Sequence, residues 1–166
     1  MTVVLSKYNP DWAHMFEEEK LYLLSYLDNF VVGSIERVGS TSVQGMVAKP
    51  IIDIMCGVQT LDRSRDAISV LESAGYCYYP YKADVMHWFC KPTPDIRTHH
   101  LHLVEYESAL WRDRLKFRDL LRNEPQIFEQ YKSLKIELAR EFGGDREVYT
   151  KRKGPFIQRV LDNADS

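Results

Sequence analysis

The sequence has few cysteines and none of the segments that direct a protein to a membrane. Its 166 residues include 3 cysteines, an odd and small number that argues against a disulfide framework and favours a reducing compartment. No run approaches about 18 uncharged apolar residues, the length that a transmembrane helix needs. The N-terminus also lacks the charged-then-apolar layout of a signal peptide. We therefore expect a cytoplasmic protein that is not associated with a membrane.

A strong charge of one sign is also missing. The formal net charge is −2, because Lys and Arg nearly balance Asp and Glu. Proteins that bind the nucleic-acid backbone usually carry a strongly basic domain or stripe, so we expect no nucleic-acid partner. The balance conceals an asymmetry, since residues 1–110 are acidic overall and residues 111–166 are basic overall. The basic region could form one wall of a site for a phosphorylated small molecule.

The hydrophobic pattern predicts one α+β domain over residues 1–166. The length is close to that of one ordinary domain, and 45% of the residues are hydrophobic. Helical and strand-like spacing divides the chain into elements. Helices are predicted over residues 11–28, 61–74, 108–123, 125–142 and 145–164, and strands over residues 34–39, 51–58, 76–79, 85–90 and 99–106. This order predicts a mixed sheet of about 4–5 strands with a helical C-terminal flank.

Asp53 is the one charged residue in the apolar run of residues 51–58. Burying a carboxylate in such a strand is costly unless it meets a metal ion, a cation or strong hydrogen-bond donors. Asp53 is therefore a candidate metal ligand and a candidate catalytic residue. The alternative is a structural ion pair between Asp53 and a nearby lysine or arginine.

A turn of small residues, Gly39-Ser40-Thr41-Ser42, follows the first predicted strand. Backbone N–H groups and hydroxyls in such a turn can approach phosphate oxygens, which makes Gly39, Ser40 and Thr41 candidate phosphate-binding residues. The turn matches neither the Walker A nor the Rossmann pattern, and taken alone it could be an ordinary connector. With Asp53 on the next strand, it predicts metal-assisted phosphoryl or nucleotidyl transfer, in which Mg²⁺ neutralises phosphate charge.

Two histidines occupy alternate positions of the last predicted strand. His100 and His102 project from the same face, so both could reach one ligand. They could bind a transition metal, contact phosphate or transfer protons, and His102 is also a candidate catalytic residue. A histidine in the place of a third carboxylate would favour Mn²⁺ or Zn²⁺ over Mg²⁺. The alternative is a half-exposed strand face without a ligand.

Four basic residues are candidate phosphate contacts, namely Lys49, Arg97, Arg118 and Lys153. Arginine offers bidentate geometry and lysine a point charge. Taken singly, each of them is more often a surface charge. Arg118 and Arg122 share one helical face, where two like charges are unfavourable unless an anion or an acidic side chain meets them.

The segment around the turn resembles the GrpB family of mostly uncharacterised proteins. The resemblance covers nearly the whole chain and is carried by IERVGSTSVQG at residues 35–45, AKPIIDI at 48–54, HLHLV at 100–104 and FRDLLR at 117–122, with Tyr131, Lys135, Tyr149 and Lys153. The family is grouped with nucleotidyltransferase-like folds, which implies a phosphate-binding turn at Gly39 and Ser40 and a metal-binding carboxylate at Asp53. In some bacteria the domain is fused to dephospho-CoA kinase, which implies a nucleotide or coenzyme-like ligand.

One position departs from that pattern. The second carboxylate of nucleotidyltransferases would fall at position 55, and this residue is Met55, a poor ligand for Mg²⁺. Glu36 or Glu105 could take its place. Three hypotheses follow: a metal-dependent nucleotidyltransferase-like enzyme, a non-catalytic nucleotide- or coenzyme-binding module, and an interaction protein. A carboxylate close to Asp53 would support the first, whereas only apolar and basic neighbours would support the second.

Overall fold

The computed structural model describes residues 2–164, which contain five helices and five strands. The helices are α1 (Asp11–Leu27), α2 (Asp66–Ser73), α3 (Ala109–Asn123), α4 (Pro125–Phe142) and α5 (Arg146–Ala164). The strands are β1 (Val31–Val38), β2 (Ile52–Val58), β3 (Cys77–Tyr79), β4 (Met86–Pro92) and β5 (Arg97–Glu105). A single 3-10 turn, Ser40–Ser42, lies between β1 and β2. Residues 1, 165 and 166 of the predicted domain lie outside the described residues.

The five strands form one mixed sheet in the order β1-β2-β5-β4-β3. β2 and β5 are parallel, and the other neighbouring pairs are antiparallel. This arrangement confirms the predicted α+β class and the mixed sheet. The β2–β5 register places Asp53 beside His100 and Met55 beside His102.

The two faces of the sheet bury different kinds of side chain, because successive residues of a strand point to opposite faces. Ile52, Ile54 and Cys56 of β2 belong to a core cluster that includes Leu23 of α1 and Leu71 of α2. This explains why residues 51–58 are almost wholly apolar. Asp53 lies between Ile52 and Ile54 in β2, so its side chain points to the opposite face of the sheet.

The C-terminal helices cover part of that opposite face. Met55 packs in a cluster with Val104 of β5 and Trp111 of α3. A further cluster includes Leu121 of α3, Tyr131 of α4 and Phe156 of α5. The predicted helical flank is therefore confirmed, and it lies over the sheet face that carries Asp53. Within residues 2–164, none of the helices combines the length and apolar character needed to cross a membrane.

Two element boundaries differ from the predicted ones for local reasons. Helix α2 begins at Asp66, five residues after the predicted start, because residues 61–65 form hydrogen-bonded turns in which the Ser64 N–H and hydroxyl both donate to the Thr60 carbonyl. Strand β1 begins three residues before the predicted strand. Its register is irregular between Val31 and Ile35, which interrupts the alternation on which the prediction depended.

Candidate functional site

Asp53 lies between two histidines at the start of the parallel β2–β5 pair. Its Oδ1 is 3.3 Å from His100 Nδ1 and 3.5 Å from His102 Nε2. The three side chains are 28%, 13% and 10% exposed, respectively. The structure therefore brings together the three residues that the sequence singled out as metal ligands or catalytic groups.

Arg114 of α3 determines which nitrogen of His102 carries the proton. Its Nη1 donates to His102 Nδ1 over 2.8 Å. A guanidinium can only donate, so Nδ1 provides the lone pair and Nε2 carries the hydrogen of a neutral imidazole. That hydrogen points toward Asp53. Sequence reasoning missed Arg114, since nothing in its spacing distinguishes it from the other basic residues of α3.

The charges at this site follow from burial and these contacts. Burial opposes ionisation of Asp53, but hydrogen bonds with His100 and His102 outweigh it and hold the pKa of the carboxyl well below its usual range. Burial, and then the charge of Arg114, lower the pKa of His102 to about 4. At neutral pH Asp53 is therefore an anion and His102 is uncharged.

The depressed pKa of His102 predicts an acid sensitivity of the fold. An unfolded histidine, with a pKa of about 6.5, takes up a proton before the folded one does, so stability falls as the pH drops from about 6.5 toward 4. Wild type is expected to lose about 2 kcal/mol more unfolding free energy between pH 7 and pH 5 than a His102→Gln variant. Urea denaturation at both pH values measures this difference. A His14→Gln control, at a side chain 76% exposed, should behave as wild type, and equal losses in wild type and His102→Gln would contradict the prediction.

The contacts of His102 do not fit a divalent cation. Its Nε2 carries a proton because Arg114 occupies Nδ1, and a protonated nitrogen has no lone pair for a metal. In the part of the chain that the structure describes, no group of three or more His, Cys, Asp or Glu side chains could hold a metal ion. A set of three protein ligands for the predicted Mg²⁺, Mn²⁺ or Zn²⁺ is therefore missing among the described residues, and a metal held jointly by Asp53 and a phosphate stays a prediction.

Position 55 carries no carboxylate, and the two glutamates suggested in its place are engaged by other groups. Met55 is fully buried in an apolar cluster. Glu36 accepts a hydrogen bond from Arg118 over 2.9 Å. Glu105 accepts one from the Leu61 N–H over 3.0 Å, at the far end of β5 from Asp53. Neither glutamate is therefore an unengaged second carboxylate of the kind that two-metal chemistry uses.

The small-residue turn touches Asp53 directly. Gly39 has a φ of +72°, and a Cβ on it would lie 2.5 Å from Asp53 Oδ2. Thr41 is buried, and its hydroxyl donates to the Ile51 carbonyl over 3.2 Å. The turn is thus fixed against the start of β2. Two of the three candidate phosphate contacts therefore already have partners. Thr41 donates to Ile51, and Ser40 shares a hydrogen bond with Tyr131. Burial raises the pKa of Tyr131, and the hydrogen bond with Ser40 partly offsets that rise.

Three lysines gather beside this turn, and we call Lys49, Lys135 and Lys153 the lysine cluster. Lys49 Nζ and Lys153 Nζ lie 5.6 Å and 4.8 Å from the centre of the Tyr149 ring. Lys135 is 2% exposed and donates to the Val47 carbonyl. The structure thus joins two predicted phosphate contacts, Lys49 and Lys153, with a third lysine.

The lysine cluster has little negative charge around it. Across residues 2–164, none of the three ammonium groups forms an ion pair with a carboxylate, and Asp53 is the acidic group whose charge acts on all of them. Burial, and then repulsion from Lys153, lower the pKa of Lys49 to about 8. Burial also lowers the pKa values of Lys135 and Lys153. The cluster therefore brings together three amines whose full protonation is opposed by burial, and for Lys49 and Lys135 also by repulsion from the neighbouring lysines.

Several polar groups near the cluster are buried without a hydrogen-bond partner. They are His100 Nε2, the Tyr149 hydroxyl, and Nε and Nη1 of Arg146. The charges of Arg146 and Arg97 reach Lys49 and contribute to its lowered pKa, after burial and Lys153. Unpartnered buried donors are rare in folded proteins, because each loses its hydrogen bonds to water.

The other predicted arginines lie at the margin or elsewhere. Arg97 packs over Trp88 at 5.2 Å, and its Nε donates to the Pro94 carbonyl. Arg118 is paired with Glu36 at 2.9 Å and Asp119 at 3.0 Å, so the structure does not bring it to the lysine cluster.

Some residues of the cluster escaped assignment although the sequence contained a signal for them. Tyr131 and Lys135 are four residues apart in α4, and Tyr149 and Lys153 are four residues apart in α5. This spacing places an aromatic ring and an ammonium on one helical face. The repeated tyrosine–lysine spacing in α4 and α5 is the sequence signal that could have grouped these residues in one site. Arg146 is not part of such a repeated pair.

Fold and site together define an α+β protein in which a five-stranded mixed sheet and three C-terminal helices enclose a cationic site. A family model described as GrpB protein matches residues 2–163. The chain belongs to the GrpB family, as the resemblance in residues 35–54 indicated.

Named relatives support this membership along the whole chain. The chain is 36% identical to the glutamate-rich protein GrpB of Alkalihalophilus pseudofirmus, covering 96% of this chain and 94% of that protein. It is also 36% identical to a UPF0157 protein of Pseudomonas aeruginosa, covering 94% of this chain but 65% of the relative. A crystal structure of the conserved protein GrpB from Enterococcus faecalis superposes with a TM-score of 0.86 at 31% identity, covering 97% of this chain and 96% of that one.

Proposed function

We propose that this chain binds a phosphorylated small molecule, a nucleotide or a coenzyme-like compound, at the lysine cluster beside Asp53. The observation that carries the proposal is the convergence of Lys49, Lys135 and Lys153 on a region whose shared acidic neighbour is Asp53. Like charges brought together and partly buried repel one another. A phosphate group would offset that repulsion.

The unpartnered donors make phosphate a better match than a singly charged carboxylate. The Tyr149 hydroxyl and two guanidinium nitrogens of Arg146, Nε and Nη1, are buried without partners. A phosphate offers several acceptor oxygens and carries close to two negative charges, so it can meet ammonium groups and neutral donors together. A chain of two or three phosphates would reach more of the cluster than one phosphate does.

Asp53 acts in this proposal as a positioning group. It orients His100 and His102 through its Oδ1. It also limits the repulsion among the lysines, since its charge raises their pKa values against the effect of burial. The basic and apolar surroundings of Asp53 support the hypothesis of a binding module.

A metal-dependent nucleotidyl or phosphoryl transferase is the second candidate function. The observation that favours it is the contact between Gly39 and Asp53, since a turn beside a carboxylate is the arrangement that such transferases use. The engaged Nε2 of His102 and the apolar Met55 speak against it. The two candidates differ in whether ligand binding needs a metal.

A thermal-shift screen tests the proposal. The compounds are phosphate, pyrophosphate, nucleotides, coenzyme A and its phosphorylated precursors, each tested with EDTA and with Mg²⁺, Mn²⁺ or Zn²⁺. A ligand of the native state raises its melting temperature, and we expect at least one compound to do so in EDTA. No shift under any condition would overturn the proposal. A shift only with metal would replace it with the transferase.

Substitution of Asp53 by asparagine separates the two candidates further. Without its negative charge the cluster becomes more positive, so we expect a phosphorylated ligand to bind in EDTA as tightly as to wild type or a few-fold more tightly. A metal-binding Asp53 predicts the loss of binding instead. Titration calorimetry with the compound selected by the screen measures this. Asp62→Asn, at a side chain 92% exposed, makes the same charge change as a control.

A further inference from the structure

A second cationic region lies on the other side of the Gly39–Ser42 turn. A groove of about 700 Å³ runs beside β1, and Arg37 and Arg122 line it. The remaining lining comes from Tyr8, Val43, Leu121, Pro125 and Phe128, with Ser42 and Gln44, so apolar side chains stand beside polar surface. Asp53 and the lysine cluster are not part of this groove.

The sheet register separates the groove from the first site. Val38 pairs with Asp53 across β1 and β2, and Arg37 pairs with Ile54. Paired residues share a face of the sheet, and neighbouring residues of one strand point to opposite faces. Arg37 therefore projects from the face opposite Asp53, and the turn lies between two basic regions.

Arg37 has an unsatisfied charged group. Its Nη1 is buried without a hydrogen-bond partner. Of the nearby carboxylates, Glu36 and Asp119 are paired with Arg118, at 2.9 Å and 3.0 Å, and Glu17 lines an adjoining pocket that Arg37 shares. Withdrawing a charged donor from water without a partner is unfavourable, and an anion in the groove would offset that cost.

Arg122 is held rigidly in the same groove. Its Nε and Nη2 both donate to the Ser42 carbonyl, over 3.0 Å and 2.9 Å. Helix α4 begins at Pro125 on the rim of the groove, with Glu124 at its N-cap. The fixed guanidinium of Arg122 favours a negative group in the groove.

We propose that this groove binds a second small molecule, an anionic group carried on a flat apolar body. Arg37 and Arg122 would contact the anionic group, either a carboxylate or a phosphate. The aromatic side chains of Tyr8 and Phe128 would contact the apolar body, as in most small-molecule sites, where apolar walls surround a few polar groups. This site is independent of the lysine cluster.

Amide NMR titrations with benzoate and with phenyl phosphate test the proposal on the full chain. We expect at least one probe to shift the amides of Ser42 and Gln44. An Arg37→Gln variant should weaken that binding about tenfold, because it removes a charge-assisted contact. Arg122→Gln should weaken it as well, but it also frees the Ser42 carbonyl, so Arg37→Gln is the decisive variant. Tighter binding of benzoate assigns a carboxylate, and tighter binding of phenyl phosphate assigns a phosphate.

Two control variants identify the site. Arg112→Gln removes an exposed charge from the same helix as Arg122, and Lys153→Gln removes a charge from the first site. Both should leave the affinity for the probe unchanged. The proposal is overturned if neither probe shifts these amides, if Arg37→Gln binds as wild type does, or if Lys153→Gln abolishes the binding.

Discussion

A Lys153→Gln variant is expected to bind its phosphorylated ligand roughly 10- to 100-fold more weakly than wild type, the loss that one hydrogen bond to a charged group brings. Lys153 lies 4.8 Å from the centre of the Tyr149 ring and shares the neighbourhood of Asp53 with two other lysines. Glutamine retains a polar side chain of similar reach but loses the charge that a phosphate attracts. Titration calorimetry with the compound selected by the thermal-shift screen measures the change.

Lys151→Gln is the matched control for this variant. Lys151 lies two residues away in the same helix and is exposed, whereas Lys153 is half-buried. Both variants change the net charge equally, so an effect of overall charge alone would weaken binding in both. We expect Lys151→Gln to bind as wild type does. Equal losses in the two variants, or no loss in Lys153→Gln, would contradict the assignment of Lys153 to the site.

The melting temperature of Lys153→Gln should equal or exceed that of wild type, although its ligand affinity is lower. Burial lowers the pKa of Lys153, because its ammonium loses hydration where it lies. Removing that charge relieves repulsion with Lys49 and Lys135. A weaker ligand affinity with an unchanged or higher melting temperature indicates a residue retained for binding rather than for folding.

The architecture could be predicted because local patterns reflect burial. The apolar run of residues 51–58 became β2, which has a core on one face and helices over the other. The second predicted helix ends at residue 74, close to the observed end of α2 at Ser73, and Gly75 follows with a φ of +97°. The start of α2 could not be predicted from periodicity, since residues 61–65 form hydrogen-bonded turns that continue directly into the helix.

The candidate site could be predicted in part, and the limit was set by tertiary packing. Gly39 and Asp53 meet because the turn lies between two adjacent strands, which the order of the elements implied. Which face each C-terminal helix turns toward the sheet depends on the packing of all three helices. Spacing alone therefore could not show that Arg118 meets Glu36 while Lys135 reaches the site.

A Gly39→Ala variant is expected to be less stable than wild type by about 3 kcal/mol, which lowers the melting temperature by about 6–12 °C. Gly39 has a φ of +72°, which is strained for any residue with a Cβ. The added methyl would also lie 2.5 Å from Asp53 Oδ2, so either the turn or the carboxylate must move. Movement of Asp53 would change its contacts with both histidines.

Variants of two other glycines separate the two causes of this expected destabilisation, backbone strain and steric overlap with Asp53. Gly75 also has a positive φ, +97°, but an added Cβ would meet nothing within 4 Å, so Gly75→Ala measures backbone strain alone. Gly144 has neither a positive φ nor a neighbour within 4 Å, so Gly144→Ala should have almost no effect. We expect the destabilisation to decrease from Gly39→Ala to Gly75→Ala to Gly144→Ala, as followed by thermal denaturation. If Gly39→Ala were no worse than Gly75→Ala, the turn could yield without disturbing Asp53, and close contact between them would not be what positions the carboxylate.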